Sequence, residues 1–403
     1  MAKKEIIAGL DIGTSVIKVV IGEFDYQNDK INIIGYAQTP SKGLSKSDII
    51  DIDSVANCII ETTEYAERMA GVEISGFFVG LPVQHISIMH NSGAVAISGD
   101  DRIVQEEDVE RVLNAAKVVA IPPEKRIIDI IPSQFKIDNK SGVQRPVGMA
   151  GVRLEVDAML IALDRAVEQN IVHCIEQAGY EVYHFVLNPL ACANDVITMD
   201  EKEVGVILVD FGGGTTEMSY FNNGILRKSI SLPIGGSQIT SDLASVLKIP
   251  QRKAEEIKKA YGSLIRKNEE ALTIKDKDLD TTRPIEYKLV NDVIEARLDE
   301  IFNLLVDEIL SMGFKEPPPA GIKIIGGTTL MPGFAKMAED YFYTDVELAY
   351  SDSDEQGYIT SKGIVHYAFD NNLAFGYYET TERKSKNRLS KIWNWFKDLF
   401  EME

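Results

Sequence analysis

Tryptophan is nearly missing from this 403-residue chain, and its only two, Trp393 and Trp395, lie close to the end. Cysteine is scarce too: Cys58, Cys174 and Cys192 follow no regular spacing. That excludes a disulfide framework or a zinc module and fits buried thiols in a reducing cytosol. The chain has five histidines, and nothing at metal-ligand spacing accompanies His85 and His90 on their strand-like stretch. There is no run of about 18 apolar residues, so no bilayer span is expected. The first apolar run, Ile6 to Leu10, is cut by Asp11 and is too short for the core of a signal peptide. The dipeptide Gly-Lys never occurs, which rules out a G-x-x-x-x-G-K-[ST] phosphate loop. Positive charge is outnumbered, 42 Lys and Arg against 62 Asp and Glu, and a net charge of −20 repels nucleic acid and anionic lipid.

What is present suits a globular protein. Hydrophobic residues are 45% and charged residues 26%, enough apolar material for a core that needs neither metal nor disulfide. The length allows about two to four compact domains. Residues 5–37 read as three β-branched strands, 51–71 as a helix, and 77–82 as a further strand. Residues 84–163 have a texture of their own and read as a small α+β insertion. Its strands are expected at 85–88, 94–98, 126–132 and 156–163, with a helix over 106–119. Helix, strand and helix resume through 166–198, and 204–235 are strands again. The stretch 237–310 reads as helical, with a polar interruption from Lys267 to Arg283. Pro317, Pro318 and Pro319 stop a helix before the strand at 322–325. Residues 378–388 are polar, lack apolar periodicity and read as a linker.

The most informative feature is a distant self-resemblance. One copy runs I-I-A-G-L-Asp11-I-Gly13-Thr14-Ser15-V-I-Lys18, the other V-I-L-V-Asp210-F-Gly212-Gly213-Gly214-Thr215-Thr216-Glu217. Each is a buried strand, an Asp at its end, a Gly/Ser/Thr turn and a second strand. Such a turn exposes backbone N–H groups and hydroxyls to phosphate oxygens, and the Asp stands where it can hold Mg²⁺ directly or through water. Either copy alone is also what an ordinary hairpin with a Gly turn looks like. Two copies, followed by Gly326-Gly327-Thr328-Thr329-L-Met331-Pro332-Gly333 after a third β-rich run, favour the phosphate reading.

These three motifs, in this order, resemble those of the actin, Hsp70 and sugar-kinase ATPases. The resemblance implies an α/β, actin-like two-lobed fold built from duplicated ribonuclease H-like halves, with ATP and Mg²⁺ between the hairpins. On that resemblance Asp11 and Asp210 are the catalytic and metal-holding carboxylates. Gly13, Thr14, Ser15 and Lys18 form the first phosphate loop, and Gly212, Gly213, Gly214 and Thr215 the second. Lys18 also reads as a plain surface charge on an edge strand. Gly326, Gly327 and Met331 line adenosine together with Gly236, and Glu255 and Lys258 of an A-E-x-I-K helix touch ribose and adenine. Residues 187–191 resemble one hinge helix and 361–368 the other. Many relatives place Glu or Gln in the first hinge to orient water. Asn188 stands there instead, a poorer proton acceptor, which implies slow ATP hydrolysis at most.

Within that superfamily nearly the whole chain resembles the FtsA family of bacterial cell division proteins. The resemblance implies subdomain 1A from 1–83, 164–198 and 358–377, and subdomain 1C, in place of 1B, from 84–163. It implies 2A from 199–236 and 311–357, 2B from 237–310, a linker at 378–388 and an amphipathic membrane-targeting helix at 389–403. The helix with Ile294, Arg297 and Glu300 resembles the one that receives the FtsZ C-terminal tail, and a spacing of three is expected to place them on one face. A solvated helix face is the plainer reading. Self-assembly into filaments, contact of other division proteins with 1C, and a place on the cytoplasmic side of the membrane at the division septum are implied as well, with no nucleic acid. A PilM-like pilus assembly protein and a small-molecule kinase of the same superfamily are alternatives. The basic tail disfavours the first, and the lack of a recognisable substrate-pocket set disfavours the second.

That tail reads L-S-K-I-W-N-W-F-K-D-L-F over 389–400. Leu389, Ile392, Trp393, Phe396, Leu399 and Phe400 fall on one helical face, with Trp395 at its boundary. From Arg383 to Glu403 six basic side chains stand against three acidic ones, a local reversal of the body's charge. A terminal helix docked on the core or on a partner is the competing reading. The polar linker and the reversed charge favour a lipid surface. Interfacial burial less ordering entropy leaves a few kcal/mol, comparable to a single acyl chain, so attachment of one copy is expected to be reversible. Tryptophan emission therefore reports on the tail alone. It is expected to shift to the blue with anionic vesicles, less so at high salt. Deleting 385–403 should abolish cosedimentation, and cosedimentation that survives would place the anchor elsewhere.

Overall fold

The structure, a computed structural model, describes residues 5–25, 28, 30–265, 272–276, 281–314, 316–349, 356–371 and 373. The linker at 378–388 and the tail at 389–403 lie outside the described residues. The chain opens with β1 (Ile6–Ile12), β2 (Val16–Asp25) and β3 (Lys30–Pro40), an antiparallel meander in which Asp11 sits opposite Lys18. Helix α1 (Ile52–Ala70) follows. Asp51 caps it by accepting from the Ser54 N–H at 3.3 Å, and Gly71 ends it in the left-handed conformation. β4 (Gly76–Leu81) then returns parallel to β1.

The insertion comes next: β5 (Ile86–Ala96), α2 (Glu106–Ala116), β6 (Lys125–Ile137), β7 (Lys140–Val143) and β8 (Arg153–Asp164). Its antiparallel sheet runs β5-β8-β6-β7, and α2 covers one face. α3 (Arg165–Gln177) leads to β9 (Glu181–Leu187), which pairs parallel to β4. The first main sheet is thus β9-β4-β1-β2-β3. All six residues of β4 are buried, as expected of a strand covered on both faces.

α4 (Asn188–Val196) and α5 (Met199–Val204) carry the chain into a second meander of β10 (Val206–Phe211), β11 (Thr216–Asn222) and β12 (Ile225–Leu232). Then come α6 (Gly236–Leu247), α7 (Gln251–Tyr261), α8 (Tyr287–Ser311), β13 (Ile322–Ile325), α9 (Phe334–Phe342), β14 (Val346–Leu348) and α10 (Ile359–Asp370). The second main sheet is β12-β11-β10-β13-β14. Order and strand directions repeat those of the first sheet, so the duplication seen in the two Asp/Gly motifs extends to whole half-folds.

Two expectations change. The insertion's first strand is one ladder from Ile86 to Ala96, because every residue of it pairs with β8 and its polar middle, His90 to Ser92, does not interrupt it. The polar stretch after Lys267 contains an antiparallel pair, Leu272–Asp276 with Thr281–Ile285, where Thr273, Ile274, Thr281, Thr282 and Ile285 supply β-branched residues amid the surrounding charge.

The insertion also carries its own polar lock. Asp108, fully buried on α2, accepts from the Gln105 N–H at 3.0 Å, the Ser98 N–H at 3.1 Å and the Ser98 hydroxyl at 2.5 Å, and pairs with Arg111. Burial alone would raise its pKa, but these hydrogen bonds outweigh it and hold the carboxyl at about 2. A folded value below the ordinary 3.8 adds stability that is present above the ordinary value and lost as pH falls toward 2. Asp108→Ala should therefore cost about 2–4 kcal/mol in urea unfolding at pH 7. The deficit should shrink below about pH 3, and a constant deficit across that range would contradict the lock.

Candidate functional site

The two Asp/Gly hairpins meet tip to tip. A Cβ on Gly213 would run into Ser15 Oγ, and one on Gly214 would lie 2.6 Å from Thr14 Oγ1. α6 starts against the second turn: the Gly236 N–H donates to Gly212 O at 3.0 Å and the Ser237 N–H to Gly213 O at 2.8 Å. The third glycine motif completes this wall. Gly326 has φ +108°, and a Cβ there would strike Phe211 O and come within 2.9 Å of Asp210 Oδ1. Lys258 Nζ donates to Gly236 O at 2.9 Å and Thr240 Oγ1 at 2.8 Å and pairs with Glu255 at 2.7 Å. Thr328 Oγ1 lies against Gly236, and Met331 Cε against Gly262. Gly236, Glu255, Lys258, Gly326, Gly327 and Met331 are thereby brought onto one side of the cleft, with Gly13 to Ser15 on the other.

Carboxylates line its floor. Burial raises the pKa of Asp11, and Lys18, its cross-strand partner with Nζ 3.6 Å away, pulls it back. Burial pushes Asp210 up to about 6, with Lys18 opposing and Asp11 adding to the rise. Glu217, the position in the second hairpin that matches Lys18 in the first, is pushed to about 8 by burial and then by Asp210. Its Oε1 accepts from the Val83 N–H at 2.8 Å, a bond between the second half and the root of the insertion. One lysine thus faces two acids, Asp11 and Asp210, with Glu217 a third acid beside them. Such a floor fits a divalent cation, and turns whose glycines leave no room for side chains fit phosphate oxygens beside it. On both counts these residues suit Mg²⁺ and a nucleotide.

Helices α4 and α10 join the halves behind the floor. A Cβ on Gly363 would overlap Ala191 O, so the helices cross backbone to backbone. His366 Nδ1 lies 2.7 Å from Asp195 Oδ1, and Asn194 donates to Asp370 Oδ2 at 2.6 Å. Asn188 opens α4, and its Oδ1 is buried against Gly80 without a hydrogen-bond partner among the described residues.

One expectation is corrected. Ile294, Arg297 and Glu300 do not share a face: Ile294 is wholly in the core, because α8 is long and its stripe Val290, Ile294, Leu298 and Ile301 packs inward. Arg297 holds Asp242 through two bonds of 2.6 and 3.0 Å and also pairs with Glu300, which is exposed. Glu217, Ser237 and Thr240 are contributors that motif reading assigned no role. Aligning Asp11 and Lys18 with Asp210 and Glu217 was the available signal for the first, and nothing local pointed to the other two.

Solved structures share this architecture. The type IV pilus PilM–PilN complex matches with a TM-score of 0.62 at 16% identity, over 92% of this chain and 98% of that one. MreB5 of Spiroplasma citri bound to AMPPNP matches with 0.55 at 14%, over 92% and 99%. The fold and the paired hairpins define an actin-like protein with an inserted α+β domain. Family models described as "SHS2 domain inserted in FTSA" and "Cell division protein FtsA" match residues 83–162 and 207–365. Cell division protein FtsA of Bacillus subtilis is 36% identical over 92% of this chain and 85% of its own length, and that of Pseudomonas aeruginosa is 39% identical over 85% and 82%. The chain belongs to the FtsA family of cell division proteins.

The raised Glu217 makes a signed prediction. A folded pKa of about 8 against an ordinary 4.5 means that folding takes up a proton, so this residue's contribution to stability falls as pH rises from 4.5 through 8. Glu217→Gln keeps the acceptor for Val83 and removes the charge. Without nucleotide and with a chelator, its Tm should match the wild type at pH 5 and exceed it by a few degrees at pH 9. Parallel pH profiles would refute a buried neutral acid.

Proposed function

We propose that this protein is an ATP-binding, filament-forming member of its family. It ties FtsZ to the cytoplasmic face of the cell membrane at the division septum and helps recruit other division proteins. The observation that carries the nucleotide half is the meeting of two glycine turns over buried Asp11 and half-buried Asp210. In this reading Gly13 to Ser15 and Gly212 to Thr215 hold phosphates, Asp11 and Asp210 hold Mg²⁺ partly through water, and Lys18 neutralises charge. Gly236, Glu255, Lys258, Gly326, Gly327 and Met331 cradle the nucleoside. When bound, the metal supplies charge compensation for the phosphates. The chain's own part is orientation, and Asn188 in the hinge keeps any hydrolysis slow. The described residues contain no helix long and apolar enough to cross a membrane. In this reading the tail attaches to lipid, and FtsZ docks on α8 at the exposed Glu300 beside Arg297. Single tails bind reversibly, so assembly that gathers many of them is what makes attachment firm. Nucleotide promotes assembly, and assembly multiplies anchors.

The test is calorimetric titration of the full chain with MgATP. Asp11→Ala should weaken Mg²⁺-dependent binding at least about tenfold, or about 1.4 kcal/mol, with little effect on the fold. Identical titrations for variant and wild type would remove Asp11 from the site.

A further inference from the structure

The insertion carries an apolar tip that neither the cleft nor the core uses. Between α2 and β6 the chain reads Lys117-Val118-Val119-Ala120-Ile121-Pro122-Pro123-Glu124, with six uncharged apolar residues in a row. The insertion's core takes Val112, Leu113 and Ala116 from α2 and none of these six. Val118 is 82% exposed, Ala120, Pro122 and Pro123 are exposed, and Val119 and Ile121 are half-buried. A lone exposed valine is ordinary, but a contiguous apolar tip is not.

Three features match this tip to a lipid surface. The first is its backbone. The Val118 N–H donates to Ala115 O at 3.2 Å and the Val119 N–H to Lys117 O at 2.9 Å, while Pro122 and Pro123 have no N–H. Four of the six positions therefore bring no unsatisfied donor toward hydrocarbon, which is what normally keeps loops out of it. The second is its side chains. Val, Ala, Ile and Pro suit shallow burial, and the tip lacks the Trp, Tyr or Arg anchors on which protein interfaces centre. The third is charge. From Lys117 to Arg126 three basic side chains stand against one acidic, on a chain of net charge −20, as they do in the tail. Lys125 and Arg126 also pair with Asp164 and Glu168, whereas Lys117 is exposed and makes no ion pair among the described residues.

We propose that residues 118–123 are a second lipid contact, which dips into the headgroup boundary of an anionic membrane and fixes which side of the body faces it. The proposal rests on the lipid-attachment reading above and deepens it. Leu373, the last described residue, and Leu389 are 16 positions apart, at most about 55 Å of chain. A tail on such a tether holds the body near the surface and leaves its orientation open. A weak contact on the same molecule then works at the effective concentration that the tail sets, and two weak signals give the stable attachment that one does not.

The test uses full chains and vesicles of phosphatidylglycerol and phosphatidylethanolamine. In the wild type, emission reports on the tail through Trp393 and Trp395. Replacing both by Phe and adding Val118→Trp puts the sole tryptophan at the tip. Val152→Trp in the same background is the control, because Val152 is 53% exposed but adjoins the start of β8, whereas the tip adjoins Lys125, which pairs with the end of β8. Emission from position 118 should shift to the blue with vesicles and emission from 152 should not. Val118→Asp, with the tail intact, should bind vesicles about fivefold more weakly at unchanged Tm. A tip tryptophan that does not shift while the tail's does, an equal shift at 152, or wild-type vesicle affinity in Val118→Asp would each overturn the second contact and leave the tail as anchor. No shift in any chain overturns the lipid reading and the second contact together.

Discussion

Two carboxylates of like charge, the buried Asp11 and the half-buried Asp210, are held near each other at the floor of a cleft, and much of the structure is arranged around that placement. Water would screen them cheaply, but burial does not: burial raises both pKa values, Lys18 opposes the rise at each, and Asp11 adds to it at Asp210. Each Asp ends a strand at the centre of its sheet, where parallel neighbours lock its height. Each is followed by a turn, and the glycines of the second leave no room for side chains against Thr14 and Ser15 of the first. The duplication therefore delivers two equivalent edges, and the cleft is what their approach creates.

The approach depends on what joins the halves. Gly363 and Ala191 let α10 and α4 cross with no side chain between them, and the pairs His366–Asp195 and Asn194–Asp370 flank the crossing. The insertion adds a second connection. Val83, Met159 and Ile161 pack in one apolar cluster with Leu208, Phe221 and Leu226 of the second half, and Glu217 receives the Val83 N–H. A domain inserted in the first half is thus seated on the second, so any relative movement of the halves must also be accommodated at the insertion's root.

Local chemistry made much of this legible. The two Asp/Gly motifs, the third glycine run and the independent texture of the insertion are short-range patterns of strand, turn and alternation, and the duplicated sheets follow them strand for strand. The hinge helices were legible only through the resemblance of residues 187–191 and 361–368 to those of the superfamily, and α4 and α10 lie over those residues. Reading failed where pairing or burial is decided by distant residues. The polar centre of β5 looked like a break because its partner β8 lies far along the chain. Ile294 looked like one edge of a docking face because periodicity shows that a face exists, not which side the core will take.

The sequence by itself determined the family, through motifs that resemble the family's own, and the duplicated Asp/Gly hairpins, because each hairpin is written in contiguous residues whose spacing obeys strand and turn geometry. Only tertiary structure decided that Glu217 is a neutral acid bonded to Val83, that Arg297 is committed to Asp242, and that the Ser47 N–H donates to Thr14 Oγ1. Those outcomes come from groups up to 134 residues apart meeting in buried or partly buried places. Desolvation and hydrogen-bond geometry are properties of those places, and no local pattern encodes them.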